Sequence, residues 1–284
     1  MEKKYFSQEQ FNKNLEKEMI AASAVYQERK ASRIPDYTLA TYDFVYTSDS
    51  ENKLNNLRNF LVTDYGFNMQ AISKPDANWE LHGTASKFPV DEHNLKYWVL
   101  DLYFKGYEFD CKLDGYGALV DSNNLTFPKM DASLEDHYFN LGMEAYHKRN
   151  MGMAIINFST VIKINATDPN AWYSRGTAKD GLYARVEARR DYDMAIQLAP
   201  NFVDAIINRA ANKDESKEFD EAIEDYSKAI QLDPKNAMAY FNRGNSRLNK
   251  GDNIEACKDW EKAKELGAKY AQERIDKYCN YELS

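Results

Sequence analysis

From residue 135 onward, small and apolar residues return in the chain at a fixed interval. Ala154, Ala188, Ala222 and Ala256 are each 34 residues apart; Phe158, Tyr192, Tyr226 and Trp260 follow four places later, and Val161, Ala195, Ala229 and Ala263 three places after those. Twelve residues before each of the first alanines stands Gly142, Gly176, Ala210 or Gly244, preceded four places earlier by Tyr138, Trp172, Ile206 or Tyr240. Two small positions per unit let two helices approach closely, and the aromatic fills the space between neighbouring pairs. Pro200 and Pro234 suit helix ends, because proline lacks a donor N–H and turns the preceding residue away from the helical region. The spacing therefore predicts four helix-turn-helix units at 135–168, 169–202, 203–236 and 237–270, with YAQERIDKYCNYELS supplying a capping helix.

The pattern resembles the tetratricopeptide repeat (TPR), which implies an all-α superhelix whose first helices line a groove. Two departures stand out. The family's leucine before the small residue survives only as Leu141 and becomes Arg175, Arg209 and Arg243; its later tyrosine becomes Ala145, Lys179, Lys213 and Arg247. By the resemblance, the groove carries Phe139, Met143, Tyr146, Tyr173, Ile207, Phe241 and Asn245, an aromatic and polar lining suited to anchoring a peptide. The same residues could instead pack against the N-terminal half or a second copy of the chain. Phe139 and Met143 stand where chaperone-binding members place clamp residues, so that mode of capture is not expected. The basic pairs Arg175–Lys179, Arg209–Lys213 and Arg243–Arg247 fall on one helix face each. They form either a stripe for an acidic partner or RNA phosphate, or stems packed between helices and paired with acids such as Glu187, Glu221, Asp225, Glu255 and Asp259.

The first half has mixed periodicity. Phe11, Leu15, Met19, Ala22 and Tyr26 predict an amphipathic helix over 8–30, and YTLATYDFVY, 37–46, a strand. Leu54, Leu57, Phe60 and Leu61 mark a second helix closed by Gly66. Two strands, 67–72 and 79–84, then form a hairpin across Lys74–Ala77. A third helix carries Leu95, Trp98, Val99, Leu102 and Tyr103 and is expected to end at Gly106; 109–120 is a final strand, or a tight hairpin turning at Asp114–Gly115. This order predicts an α+β domain of ferredoxin-like, split β-α-β type. On YGF at Tyr65–Phe67, the Trp79 strand and GYEFDCKLDGYG from Gly106 to Gly117, residues 43–121 resemble the ribonuclease E inhibitor B family of bacterial regulators, with Tyr116 in place of the usual tryptophan. The resemblance implies binding and inhibition of a ribonuclease.

The expected organisation is thus 1–121 as the α+β domain, 122–133 as a linker and 134–284 as the repeats. Net charge is −8, split as −4 on each side of residue 130, which disfavours nucleic acid as the main partner. No apolar run approaches the ~18 residues of a membrane span. The first ten residues lack a leader's apolar core. Three scattered cysteines, Cys111, Cys257 and Cys279, predict no disulfide and a reducing, cytoplasmic location. The histidine pairs His82/His93 and His137/His147 match no metal-ligand spacing, and no nucleophile, phosphate-loop or zinc-hydrolase motif occurs, so no cofactor is expected. The sequence reads as a non-enzymatic regulator or adaptor that binds a protein partner. The alternatives are an immunity protein that blocks a toxin and an enzyme built on Asp110, Asp114 and Asp121. Oligomeric state is not legible.

Overall fold

The computed structural model describes residues 4–119 and 125–279. The chain divides into two compact units, Met1–Ala166 and Thr167–Ser284.

In the first unit, α1 (Gln8–Ala31) opens with a reciprocal cap between Ser7 and Gln10 and turns Phe11, Ala22 and Tyr26 inward. It is followed by β1 (Thr38–Ser48), α2 (Glu51–Thr63), β2 (Asn68–Met69), β3 (Trp79–Thr84), β4 (Phe88–Val90), α3 (Glu92–Glu108) and β5 (Lys112–Leu119). The long strand β1 is the spine. Antiparallel to it run β3, with Asp43 opposite Thr84, and β4, with Thr38 opposite Val90. A strand has only two edges, and β3 and β5 pair with overlapping stretches of β1, so β5 takes the other side, with Thr41 opposite Leu119. Outside β3 lies β2. Alternate β1 residues Ala40, Tyr42, Phe44 and Tyr46 are buried to 1% exposure or less, and they pack with Leu54, Leu57 and Leu61 of α2 and Leu95, Trp98 and Leu102 of α3. Burying each of the leucines and Phe44 contributes roughly 1.5–3 kcal/mol.

Several expectations change here. Gly106 lies inside α3 rather than ending it; a Cβ there would stand 2.7 Å from the Cys111 carbonyl oxygen, so its bareness admits the returning strand. Asp114–Gly115 is not a turn: both belong to the continuous strand β5, where Asp114 is the extra residue of a bulge opposite Val45 and Tyr46. The short strand β4 was not foreseen, because Phe88-Pro89-Val90 is too brief to show alternation. The segment taken as a linker is partly seated, since Leu39 N–H donates to the Thr126 carbonyl at 2.7 Å; 122–124 lie outside the described residues.

The first helical pair, α4 (Glu135–His147) and α5 (Met151–Ile164), belongs to this unit, so the boundary falls one repeat later than expected. Ile156 is 1% exposed within the same core cluster as Trp98 and Tyr42. Gly152 lies against the backbone of Tyr97 and Trp98, and its N–H donates to buried Asp101 at 3.2 Å. Tyr65 Oη donates to the same carboxylate oxygen, Oδ2, at 2.9 Å. Burial raises the Asp101 carboxyl to about 6, and nearby Lys105 only partly offsets this.

The second unit contains α6 (Pro169–Asp180), α7 (Arg185–Leu198), α8 (Val203–Glu215), α9 (Phe219–Leu232), α10 (Ala237–Lys250), α11 (Asn253–Glu265) and α12 (Ala271–Tyr278). Each pair closes by seating the second-helix aromatic on the first helix's small residue. A Cβ on Gly176 would meet the Tyr192 ring at 2.7 Å, and one on Gly244 the Trp260 indole at 2.6 Å. Between the paired helices the chain turns through a left-handed residue at the fifteenth place: Arg149 in the first unit, and Tyr183, Lys217 and Gly251 in the second, with φ of 58°, 56°, 64° and 94°. Contrary to the cysteine expectation, Cys257 of α11 and Cys279 beyond α12 are joined by a disulfide that ties down the capping helix. That pairing removes the cysteine argument for a reducing compartment. Among the described residues no helix is long and apolar enough to cross a membrane.

Candidate functional site

The three first helices of the second unit lie side by side through polar contacts. Asn208 of α8 donates to Tyr173 Oη of α6 at 3.2 Å, and Asn212 Nδ2 donates to Asp180 at 2.8 Å. One repeat on, Ser246 of α10 donates to Asp214 of α8 at 2.7 Å. Asp180 and Asp214 occupy the same place in successive repeats, and each also meets the aromatic of its own second helix, Tyr192 or Tyr226. Burial raises both carboxyls above the ordinary range.

On this floor the groove residues separate into two kinds. Tyr173 is half-buried with its ring 4.9 Å from Phe202, and Phe241 is half-buried with its ring edge-on to Tyr270 at 4.7 Å. Exposed Met238 adds an apolar surface. Ile207, expected on the same ladder, is instead 2% exposed and packs with Ile206 and Ala210 in the core, so the row of apolar anchors is interrupted there. Asn245 Oδ1 and Asp214 Oδ1 are buried and accept no hydrogen bond from any described residue. Buried acceptors without donors are uncommon and costly. Phe139, Met143 and Tyr146 lie in the first unit, all half-buried, with Phe139 stacked obliquely on Phe158 at 5.5 Å.

The basic series is not a free stripe. Arg209 Nε and Nη2 hold the two oxygens of Asp225 at 2.8 and 2.6 Å, and Lys213 joins the same carboxylate at 2.8 Å. The identical triad recurs as Arg175, Lys179 and Asp191, and as Arg243, Arg247 and Asp259. The six cations have side-chain exposures of 5–18%. Burial and neighbouring Arg175 pull the Lys179 ammonium down to about 8 against the pull of Asp191. These groups hold helix to helix within a repeat, which removes them as a phosphate-binding surface. Of the acids expected as partners, Asp225 and Asp259 take the role and Glu255 meets Arg247 at 3.7 Å; Asp191 completes the set in the repeat where Glu187 was expected. The missed residues carried a signal: Asp191, Asp225 and Asp259 are themselves 34 apart.

The aspartates considered for catalysis do not converge. Asp110 accepts the N–H groups of Tyr5 and Phe6 and pairs with Lys53 at 2.7 Å; burial raises its carboxyl, but these donors outweigh it and hold the group below its ordinary range. Asp114 pairs with Lys112 at the surface, and Asp121 lies outside the described residues. Burial pushes the Cys111 thiol up to about 12, leaving it a poor nucleophile. Among the described residues no three His, Cys, Asp or Glu side chains gather at metal-ligand distances.

Residues 215–251 match the family model for a TPR repeat. No curated protein matches the chain. Among solved structures, it is similar to MamA (28% identity over 49% of this chain and 81% of that one, TM-score 0.46). It is also similar to the TPR protein YrrB (19%, 63% and 82%, TM-score 0.47) and to the Arabidopsis OM64 TPR domain (21%, 41% and 97%, TM-score 0.41). The family match falls on the loop and helices around Glu218 and Arg247, so residues 215–251 carry a TPR repeat, and the same triad geometry recurs on either side of it.

Proposed function

We propose that the protein is a non-enzymatic adaptor whose TPR groove, on α6, α8 and α10, takes a peptide segment of a protein partner. The observation that carries this reading is the pair of donorless acceptors, Asn245 Oδ1 and Asp214 Oδ1, beside half-buried Phe241 and exposed Met238. A peptide supplies N–H donors for the oxygens and side chains for the apolar patch. YrrB, described as having an unusual peptide-binding site, and the first TPR of Spaghetti, solved with an HSP90 peptide, are compatible precedents. The test is selection of a displayed peptide library on the intact chain, followed by affinity measurement against Phe241→Ala/Asn245→Ala. Selected peptides should lose at least tenfold in affinity; equal binding to the double variant rejects the groove.

The sheet module is the second arm of the proposal. Its ferredoxin-like reading is supported by the all-antiparallel order, with β1 between β3 and β5. A ribonuclease as its partner rests on the resemblance around Gly106–Gly117, and a toxin is the competing partner. Adding the intact chain to a purified ribonuclease E catalytic domain should slow cleavage of a single-stranded oligonucleotide; an unchanged rate rejects the ribonuclease.

A further inference from the structure

The first repeat breaks the rule that organises the others. Where the later repeats place Arg, Lys or Arg, and Asp, it has Leu141, Ala145 and Asn157 at the corresponding places. No ions fill that position. Instead, these three residues line a cavity of about 640 Å³ within the first unit, a size typical of small-molecule sites. Its other walls come from Phe67 and Pro89 of the sheet module and from Phe127, which is 51% exposed. The charge at the rim is lopsided. Lys148 and Glu144 pair with each other at 2.6 Å, whereas Lys87 and Lys129 make no ion pair among the described residues and only Asp64 opposes them.

We propose that this cavity binds a small amphipathic monoanion, with an apolar chain or ring lying over Leu141 and Phe127 and a carboxylate-type head held by Lys87 and Lys129. The apolar floor follows from the lost triad, because a buried cation there would require a buried partner, and Asn157 cannot neutralise one. The lysines supply long-range attraction at little desolvation cost, since both are exposed. The site is lined by residues of the first unit alone, and the proposal does not depend on the peptide groove.

The test uses the intact chain and two probes of equal length, decanoate and decanol, followed by calorimetry. Decanoate should bind saturably at one per chain and at least fivefold more tightly than decanol. The variant Leu141→Arg/Ala145→Lys/Asn157→Asp rebuilds the triad of Arg209, Lys213 and Asp225 inside the cavity and should lower decanoate affinity at least tenfold. If that variant does not fold, Lys87→Glu/Lys129→Glu at the exposed rim gives the decision: decanoate affinity should fall at least fivefold while decanol is unchanged. No saturable binding of decanoate, as when a partner protein's side chain is the true occupant, overturns the proposal. So does equal binding of the two probes, or decanoate binding that the folded variants leave intact.

Discussion

Arg209 grips Asp225 with two nitrogens, at 2.8 and 2.6 Å, in a contact where the arginine side chain is 18% exposed and the carboxylate 9%. Lys213 shares one of the two oxygens. Because three charges meet away from water, the energetics turn on what remains when one is removed. Asp225→Ala leaves Lys213 without its carboxylate and Arg209 with only the exposed Asp193, 2.7 Å from its Nη1, and breaking a buried pair in this way costs about 3–5 kcal/mol. Urea unfolding followed by circular dichroism should show that loss. Replacing the whole triad with the first repeat's residues, Arg209→Leu/Lys213→Ala/Asp225→Asn, should cost clearly less than Asp225→Ala, because the charge left behind, the Asp193 carboxylate, is exposed to water. A triple variant as unstable as the single one would mean that the ion pairs themselves stabilise the repeat.

Gly244 faces the Trp260 indole so closely that a methyl group would sit 2.6 Å from Nε1, whose N–H donates to the Phe241 carbonyl at 3.2 Å. The third repeat already carries Ala210 at this place opposite the smaller ring of Tyr226. Gly244→Ala should therefore destabilise by about 1–3 kcal/mol through overpacking. Trp260→Tyr should relieve part of that cost in the double variant, a coupling that a thermodynamic cycle would measure directly.

The small-residue and aromatic register was legible because those two positions touch in every repeat, so neither can drift without the other. The triads were only half legible. Arginines and lysines at fixed places mark a surface stripe as readily as buried pairs, and the matching period of Asp191, Asp225 and Asp259 is what decides between them. The attachment of the first repeat to the sheet module left no pattern at all. It depends on Gly152, whose bareness admits the α3 backbone, and on Asp101, a lone acid inside an apolar helix. Ile207 illustrates a different failure: expected on the groove, it is 2% exposed in the core cluster with Ile206 and Ala210. The pairing of Cys257 with Cys279 depends on α12 folding back, which spacing alone does not reveal.

The fifteenth residue of each repeat is left-handed, yet only the fourth repeat uses glycine there. A residue with a Cβ is disfavoured in this region by roughly 1–2 kcal/mol, partly repaid by glycine's larger freedom when unfolded. Lys217 is exposed, so its side chain contributes little else. Lys217→Gly should raise the stability of the second unit by about 0.5–1 kcal/mol, read as a higher urea midpoint at unchanged slope. Lys217→Val should move it the other way.

The Cys257–Cys279 bridge closes a loop across 22 residues and holds α12 against Trp260, whose ring lies 5.8 Å from that of Tyr278. A loop of that length contributes about 3 kcal/mol by chain entropy. Cys279→Ser, or reduction with dithiothreitol, should lower the stability of the second unit by about that amount and speed amide exchange in α12 first. Free thiols on the untreated protein, titrated under denaturing conditions, should number one, Cys111. A count of three would show the bridge absent.

Asp101 makes the first unit sensitive to pH in an unusual direction. Its carboxyl rises from an ordinary 3.8 to about 6, so the folded chain binds its proton more tightly than the unfolded chain does. This group's contribution is most favourable below 3.8, declines as pH climbs from about 4 to about 6, and stays unfavourable above that. The difference is about 3 kcal/mol at neutral pH, taking 1.36 kcal/mol per pKa unit. Asp101→Asn keeps an acceptor for the Gly152 N–H and Tyr65 Oη but cannot ionise. All other carboxylates titrate alike in the two proteins, so the comparison isolates Asp101. At pH 7.5 the variant should be more stable than the parent, and the gap should shrink to nothing by about pH 4. A gap that is constant across that range would show that Asp101 stays charged and is stabilised in place by Lys105, whose side chain is 6% exposed.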